Sequence, residues 1–177
     1  MLTLIIGGAS SGKSRFAEEL AQQLPGRRIY LATMESAGAE NRKRIAFHRE
    51  MRKDKGFETI EGPVAVSAVS LPADANVLLE DLPNLVANEM FSPQGRGTEH
   101  LLSELRELSS RCSHLTIVTG ELFSGGAEYE GETLNYLRQL AALNNALALD
   151  ADLVVEVIAS IPNVLKGQYP KNSSTEH

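Results

Sequence analysis

Eight residues near the start of the chain constrain its folding more than any others. Gly7-Gly8-Ala9-Ser10-Ser11-Gly12-Lys13-Ser14 fits the pattern G-x-x-x-x-G-K-[ST], and its flanks are those the pattern requires. Leu2 to Ile6 is an apolar run without alternation, which reads as a strand buried on both faces. From Lys13 onward, Phe16, Ala17, Leu20, Ala21 and Leu24 recur at helical spacing until Pro25-Gly26 stops the pattern. Strand, glycine-rich turn and helix N-terminus in that order make a cradle for phosphate. The glycines let consecutive backbone N–H groups turn inward, and the helix end adds partial positive charge. Lys13 is then placed to reach the β and γ phosphates, and the Ser14 hydroxyl to meet Mg²⁺.

The remaining pattern repeats this theme. Short apolar runs at 28–32, 57–60, 77–79, 115–118 and 153–158, the last of them closing the sheet, alternate with helical patterns at 64–71, 82–91, 99–111 and 134–149. That alternation predicts an α/β fold, a mostly parallel sheet with helices on both faces. A length of 177 residues suits one core, read here as a single domain over 1–167 with a flexible tail at 168–177. The net charge of −6 argues against nucleic acid as a partner. A lone Cys112 cannot close an intrachain disulfide, and the N-terminal apolar run is too short for a signal-peptide core or a membrane span. A cytoplasmic location is expected.

Two further groups bear on chemistry. Glu80 and Asp81 directly follow Val77-Leu78-Leu79, where a phosphate-loop protein holds an acid for the metal or its water; a solvated acidic turn, or a helix N-cap at Asp81, is the alternative. Residues 42–55 carry seven basic side chains against two acidic ones, a local charge of +5 in an acidic chain. A solvated basic face explains most such runs, but a helix here aligns Arg44, His48 and Arg52 in one stripe, with Ile45 and Met51 beside it. A histidine flanked by arginines is held neutral and nucleophilic, which suits attack on phosphorus, while the arginines neutralise charge developing on phosphate oxygens. A plain surface or packing histidine is the other reading of His48. His100, His114 and His177 have no comparable setting and read as structural or tail residues.

Taken together, the phosphate loop, Tyr30-Leu31-Ala32-Thr33, Arg44-Ile45-Ala46-Phe47-His48-Arg49-Glu50-Met51-Arg52, Glu58-Thr59-Ile60-Glu61, Val77-Leu78-Leu79-Glu80-Asp81, Leu85-Val86-Ala87-Asn88 and Ile161-Pro162-Asn163-Val164-Leu165-Lys166-Gly167 resemble one family. It is that of the bifunctional adenosylcobinamide kinase/adenosylcobinamide-phosphate guanylyltransferases of cobalamin biosynthesis. The similarity departs at Asp81-Leu82-Pro83-Asn84, at Gly120-Glu121 and along the glycine-rich 122–131 stretch. The resemblance implies a RecA-like P-loop NTPase fold, a homotrimer, and two reactions: phosphorylation of adenosylcobinamide by ATP or GTP, then transfer of GMP from GTP through a guanylyl-histidine, with Mg²⁺ present. It implies His48 as the nucleophile, with Lys13 also catalytic. Thr33, Met34, Glu35, Arg49, Glu50, Met51, Arg52, Glu61 and Glu80 would lie at the nucleotide beside the phosphate loop, and Ser14 and Glu80 at the metal. A P-loop kinase for another small molecule, or a non-catalytic nucleotide-binding module, are the rival readings of the residues alone.

Overall fold

The computed structural model describes residues 1–35, 46, 50, 53–121 and 129–170. Its strands are β1 (Leu2–Gly7), β2 (Arg27–Ala32), β3 (Glu58–Glu61), β4 (Ala75–Glu80), β5 (His114–Gly120), β6 (Leu153–Ile158) and β7 (Ile161–Lys166). The helices are α1 (Lys13–Gln23), α2 (Leu82–Phe91), α3 (Leu101–Ser110) and α4 (Gly131–Asp150). One sheet runs β3-β2-β4-β5-β1-β6-β7, parallel throughout except for the β6–β7 pair.

Strand side chains alternate between two cores, as the two-residue period of a strand requires. Leu4, Ile29, Leu31, Val77, Leu79, Leu115 and Ile117 pack under α2, α3 and α4. Ile5, Tyr30, Leu78, Val118, Val155 and Val157 face the other way, against Ala17 and Leu20 of α1. The strands are apolar on both faces because helices cover both. Asn76 is the buried exception in β4, and its Nδ2 donates to the Ala21 carbonyl at 2.8 Å, which ties α1 to the sheet.

Register brings the C-terminal ends of the parallel strands to one rim. Gly7 is level with Gly120, Ala32 with both Glu80 and Glu61, and Ile6 with Glu156. Ligands of open α/β sheets bind at that rim.

The structure corrects two expectations. The pattern at 64–71 does not form an α-helix; a single 3₁₀ turn, Val66–Ala68, stands there, preceded by Ala65 in the left-handed region (φ 53°) and followed by extended Val69. The backbone N–H of Ala65 is held instead by the Glu89 carboxylate at 2.9 Å. Nor is Leu153–Ile158 the last strand, since Ala159 and Ser160, both at positive φ, turn the chain back into β7. Pro162 masked it, because proline interrupts a strand pattern yet is tolerated on an edge. Tyr169, in the expected tail, packs edge-on against Phe16 at 6.3 Å between ring centroids, and 171–177 lie outside the described residues. Among the described residues no helix is long and apolar enough to cross a membrane.

Candidate active site

The phosphate loop leaves β1 at Gly7 and enters α1 at Lys13. Its curl is closed by Ser11 N–H donating to the Gly8 carbonyl at 3.3 Å, with Gly12 at φ 91°, a left-handed value that only glycine adopts at low cost. Lys13 Nζ donates to the Gly8 carbonyl at 3.0 Å, folding its ammonium back over the loop. A Cβ added at Gly8 would meet no atom within 4 Å, so the loop is open on that side. α1 has no acidic residue in its first turn to compete for an anion.

The loop also has a wall that the sequence did not signal. Ser160, in the β6–β7 turn, donates its backbone N–H to the Ser11 carbonyl at 2.7 Å, and a Cβ on Gly12 would come within 2.6 Å of Ser160 Oγ. No pattern marks Ser160, because a serine at positive φ after an alanine is not a recognised turn signature. Beside the loop, a cavity of about 700 Å³ is lined by residues 10–15 with Glu18, Gln22 and Lys55. Lys55 is ion-paired with Glu18 of α1, which pins the end of the basic segment next to the loop.

Two strands away, Glu80 ends β4 and is joined to Asp81 by a cis peptide bond. Asp81 caps α2, its Oδ1 accepting the Asn84 N–H at 2.9 Å. The N-cap reading of Asp81 therefore holds, but the carboxyl also sits within electrostatic reach of Lys13. Burial pushes it above the usual carboxylate value, opposed by the Asn84 N–H and the Lys13 charge. Thr33 is fully buried; its hydroxyl donates to the Asp81 carbonyl at 2.9 Å and accepts the Asp81 N–H at 2.8 Å. It fastens β2 to the acidic corner and leaves no hydroxyl proton for a ligand.

Met34, Glu35 and Glu61, expected at a nucleotide, do come together. With Pro63, Ser92, Pro93 and Gln94 they line a cavity of about 320 Å³ beyond β2 and β3. Of the basic segment, Ala46 and Glu50 are helical and exposed. Arg44, Ile45, His48, Arg49, Met51 and Arg52 lie outside the described residues, and with them the proposed stripe. His114 begins β5, at the end of the sheet opposite the phosphate loop, and burial lowers its pKa. His100 precedes α3. Burial pushes the Cys112 thiol up to about 11, which removes it as a thiolate nucleophile.

A glycine-rich loop between a parallel strand and a helix, with an acid ending the strand two places along and β5 between them, defines a P-loop NTPase of the RecA-like arrangement. The family model described as cobinamide kinase / cobinamide phosphate guanyltransferase matches residues 3–165, and the chain belongs to that family. It is 33% identical over 176 residues to the bifunctional adenosylcobalamin biosynthesis protein CobP of Pseudomonas aeruginosa, covering 95% of this chain and 99% of that one. The corresponding CobU protein of Salmonella typhimurium is 30% identical over 180 residues, covering 91% and 97%. Among solved structures, a type III secretion ATPase of pathogenic bacteria aligns with TM-score 0.48 at 12% identity, covering 88% of this chain and 50% of that chain. The VirB11 ATPase of Brucella suis aligns with TM-score 0.42 at 17% identity, covering 97% and 50%. The chain thus spans about half the length of these two solved chains.

Proposed function

We propose that this chain carries out both reactions named for its family, on adenosylcobinamide and its phosphate, with His48 as the covalent carrier. In the kinase step the acceptor's hydroxyl oxygen bonds to the γ-phosphorus of ATP or GTP, the β–γ bridge breaks and the nucleoside diphosphate leaves. In the transfer step a His48 nitrogen bonds to the α-phosphorus of GTP and pyrophosphate leaves. The phosphate of adenosylcobinamide phosphate then takes the GMP as the N–P bond breaks, giving adenosylcobinamide-GDP.

The observation that carries this reading is the family match over 3–165, supported by a phosphate loop that stands between β1 and α1 with Lys13 as the first residue of the helix. Lys13 and the loop amides hold the phosphates and offset charge as it develops on their oxygens. Ser14, in the first turn of α1, and Glu80, at the end of β4, would together offer only oxygen donors, which suits a magnesium ion that takes its other ligands from phosphate and water. Bound there, Mg²⁺ would neutralise phosphate charge. Among the described residues, no cluster of three His, Cys, Asp or Glu offers a competing metal cage. Arg49, Glu50, Met51 and Arg52 accompany His48. His48 stands seven positions before Lys55, a separation that an extended chain spans in at most about 25 Å, and Lys55 is ion-paired to α1 beside the loop. A homotrimer is part of this reading, supported by the apolar side chains exposed on β7. So is a cytoplasmic site of action, where nucleoside triphosphates are supplied.

The test is incubation of wild type and His48→Ala with α-labelled GTP, adenosylcobinamide and Mg²⁺. Wild type is expected to retain label in an acid-labile, base-stable adduct and to form adenosylcobinamide-GDP. His48→Ala should form neither yet still phosphorylate adenosylcobinamide, because positioning for that step comes from Lys13, Ser14 and the metal. Label on a peptide without His48, or full transfer by His48→Ala, would leave the simple kinase as the better reading.

A further inference from the structure

The cavity beyond β2 and β3 is built from the exits of two paired strands and a turn that belongs to neither: the exit of β2 at Met34 and Glu35, the exit of β3 at Glu61 and Pro63, and the turn after α2 at Ser92 to Gln94. Two adjacent residues of α2 join all three. Asn88 Nδ2 donates to the Thr33 carbonyl at 2.7 Å and to the Pro63 carbonyl at 2.9 Å, so one amide bridges the exits of β2 and β3. The Glu89 carboxylate accepts the Ala65 N–H at 2.9 Å through one oxygen and the Arg96 N–H at 2.8 Å through the other, bridging the β3 exit to the turn after α2. Glu89 is 1% exposed, and its charge is matched by the Arg96 guanidinium, which also pairs with the buried Glu104. The Glu89 carbonyl further accepts the Gly97 N–H at 2.9 Å. A Cβ on Gly95 would stand 2.4 Å from the Asn88 carbonyl, so the turn lies flat on the end of α2.

A buried carboxylate and a half-buried amide that between them hold four backbone groups fix main-chain geometry rather than add surface. What they fix here is the separation of the cavity walls. The cavity lies three to four strand positions from the phosphate loop, about 14 to 19 Å at the usual inter-strand spacing. Phosphates seated on the loop therefore leave this cavity for the rest of the molecule that carries them.

We propose that Asn88 and Glu89 are positioning residues that set the width of this cavity, and that Gln94, on the wall they hold, is a specificity-determining residue for the non-phosphate part of the nucleotide. The inference rests on the reading that the chain binds nucleoside triphosphates. Its test compares GTP with inorganic tripolyphosphate, which has only the phosphate loop to hold it, by titration calorimetry on the full chain. Asn88→Asp keeps the shape but turns an acceptor towards two carbonyl oxygens; Glu89→Gln sets an N–H₂ against one of two N–H donors. Both are expected to weaken GTP at least tenfold and tripolyphosphate less than twofold. Gln94→Ala, in an exposed turn where folding is not at risk, should weaken GTP about threefold or more and leave tripolyphosphate unchanged. Parallel changes in the two ligands, or wild-type GTP affinity in Asn88→Asp and Gln94→Ala, would overturn the inference while leaving the nucleotide reading in place. No GTP binding by wild type would remove both.

Discussion

At the scale of single residues, Asp81 carries two duties that pull in opposite directions. It caps α2, which any Asp or Asn does, and it places a carboxyl in a buried corner near Lys13. Burial holds that carboxyl above its ordinary value, so within that interval of pH the folded chain keeps a proton that the unfolded chain has released. Stability from this group falls as pH rises through the interval, and at neutral pH its charge counts against the fold. Asp81→Asn keeps the cap and removes the charge. We predict a higher thermal midpoint for Asp81→Asn at pH 7, by about 2–4 °C for each kcal/mol relieved, with the gap narrowing towards pH 4. A gap that stays constant with pH would show that burial of the charge is not its cause. Among single residues, Gly12 and Lys13 were legible because the phosphate-loop motif fixes their chemistry over eight positions. Thr33 and Asn88 were legible only as places in a resemblance. Their partners are backbone atoms of residues 25 to 55 positions away, and no local pattern encodes such pairs.

Among elements, the helices and parallel strands followed the periodicity, since each has a face that must meet a core. Residues 64–71 did not, because Glu89 captures the Ala65 N–H and the chain turns left-handed there. The β6–β7 turn was missed for a similar reason: it is stabilised by what it leans on. Ser160 at φ 65° donates to the Ser11 carbonyl, so the turn and the phosphate loop hold each other in place. Substituting Ser160 separates side chain from conformation. Ser160→Gly keeps the N–H and favours positive φ, and should leave the nucleotide KM within about twofold. Ser160→Val disfavours that φ by about 1–2 kcal/mol and should lower the thermal midpoint. It should also raise the nucleotide KM several-fold in the kinase and transfer reactions alike, because both use the same loop. An unchanged KM in a destabilised Ser160→Val would reduce the turn to a structural role.

Over the whole molecule, most of the large apolar side chains left exposed among the described residues gather at one edge of the sheet. β7 is exposed along its full length; Ile161 is 69% exposed and Leu165 56%, and Ile158, the cross-strand partner of Ile161, is 58% exposed. Lys166 donates to the carbonyls of Ala148 and Leu149, so the end of α4 with its 81% exposed Leu149 adjoins the same edge. Burying each such side chain stabilises by about 1.5–3 kcal/mol, and Lys166 is the only charge on the strand to discourage edge-to-edge pairing. An edge of this kind fits a surface that other copies of the chain cover. The proposed homotrimer then has a direct test. Sedimentation of the wild type at micromolar concentration should give three times the 19.2 kDa chain mass. Leu165→Glu, at the end of β7 remote from the phosphate loop, places a carboxylate in each contact and should run at the mass of one chain while still binding tripolyphosphate. A wild type that sediments as a single chain would remove the trimer and leave the apolar edge without an occupant. A trimer that persists in both Leu165→Glu and Ile161→Glu would move the interface to another face.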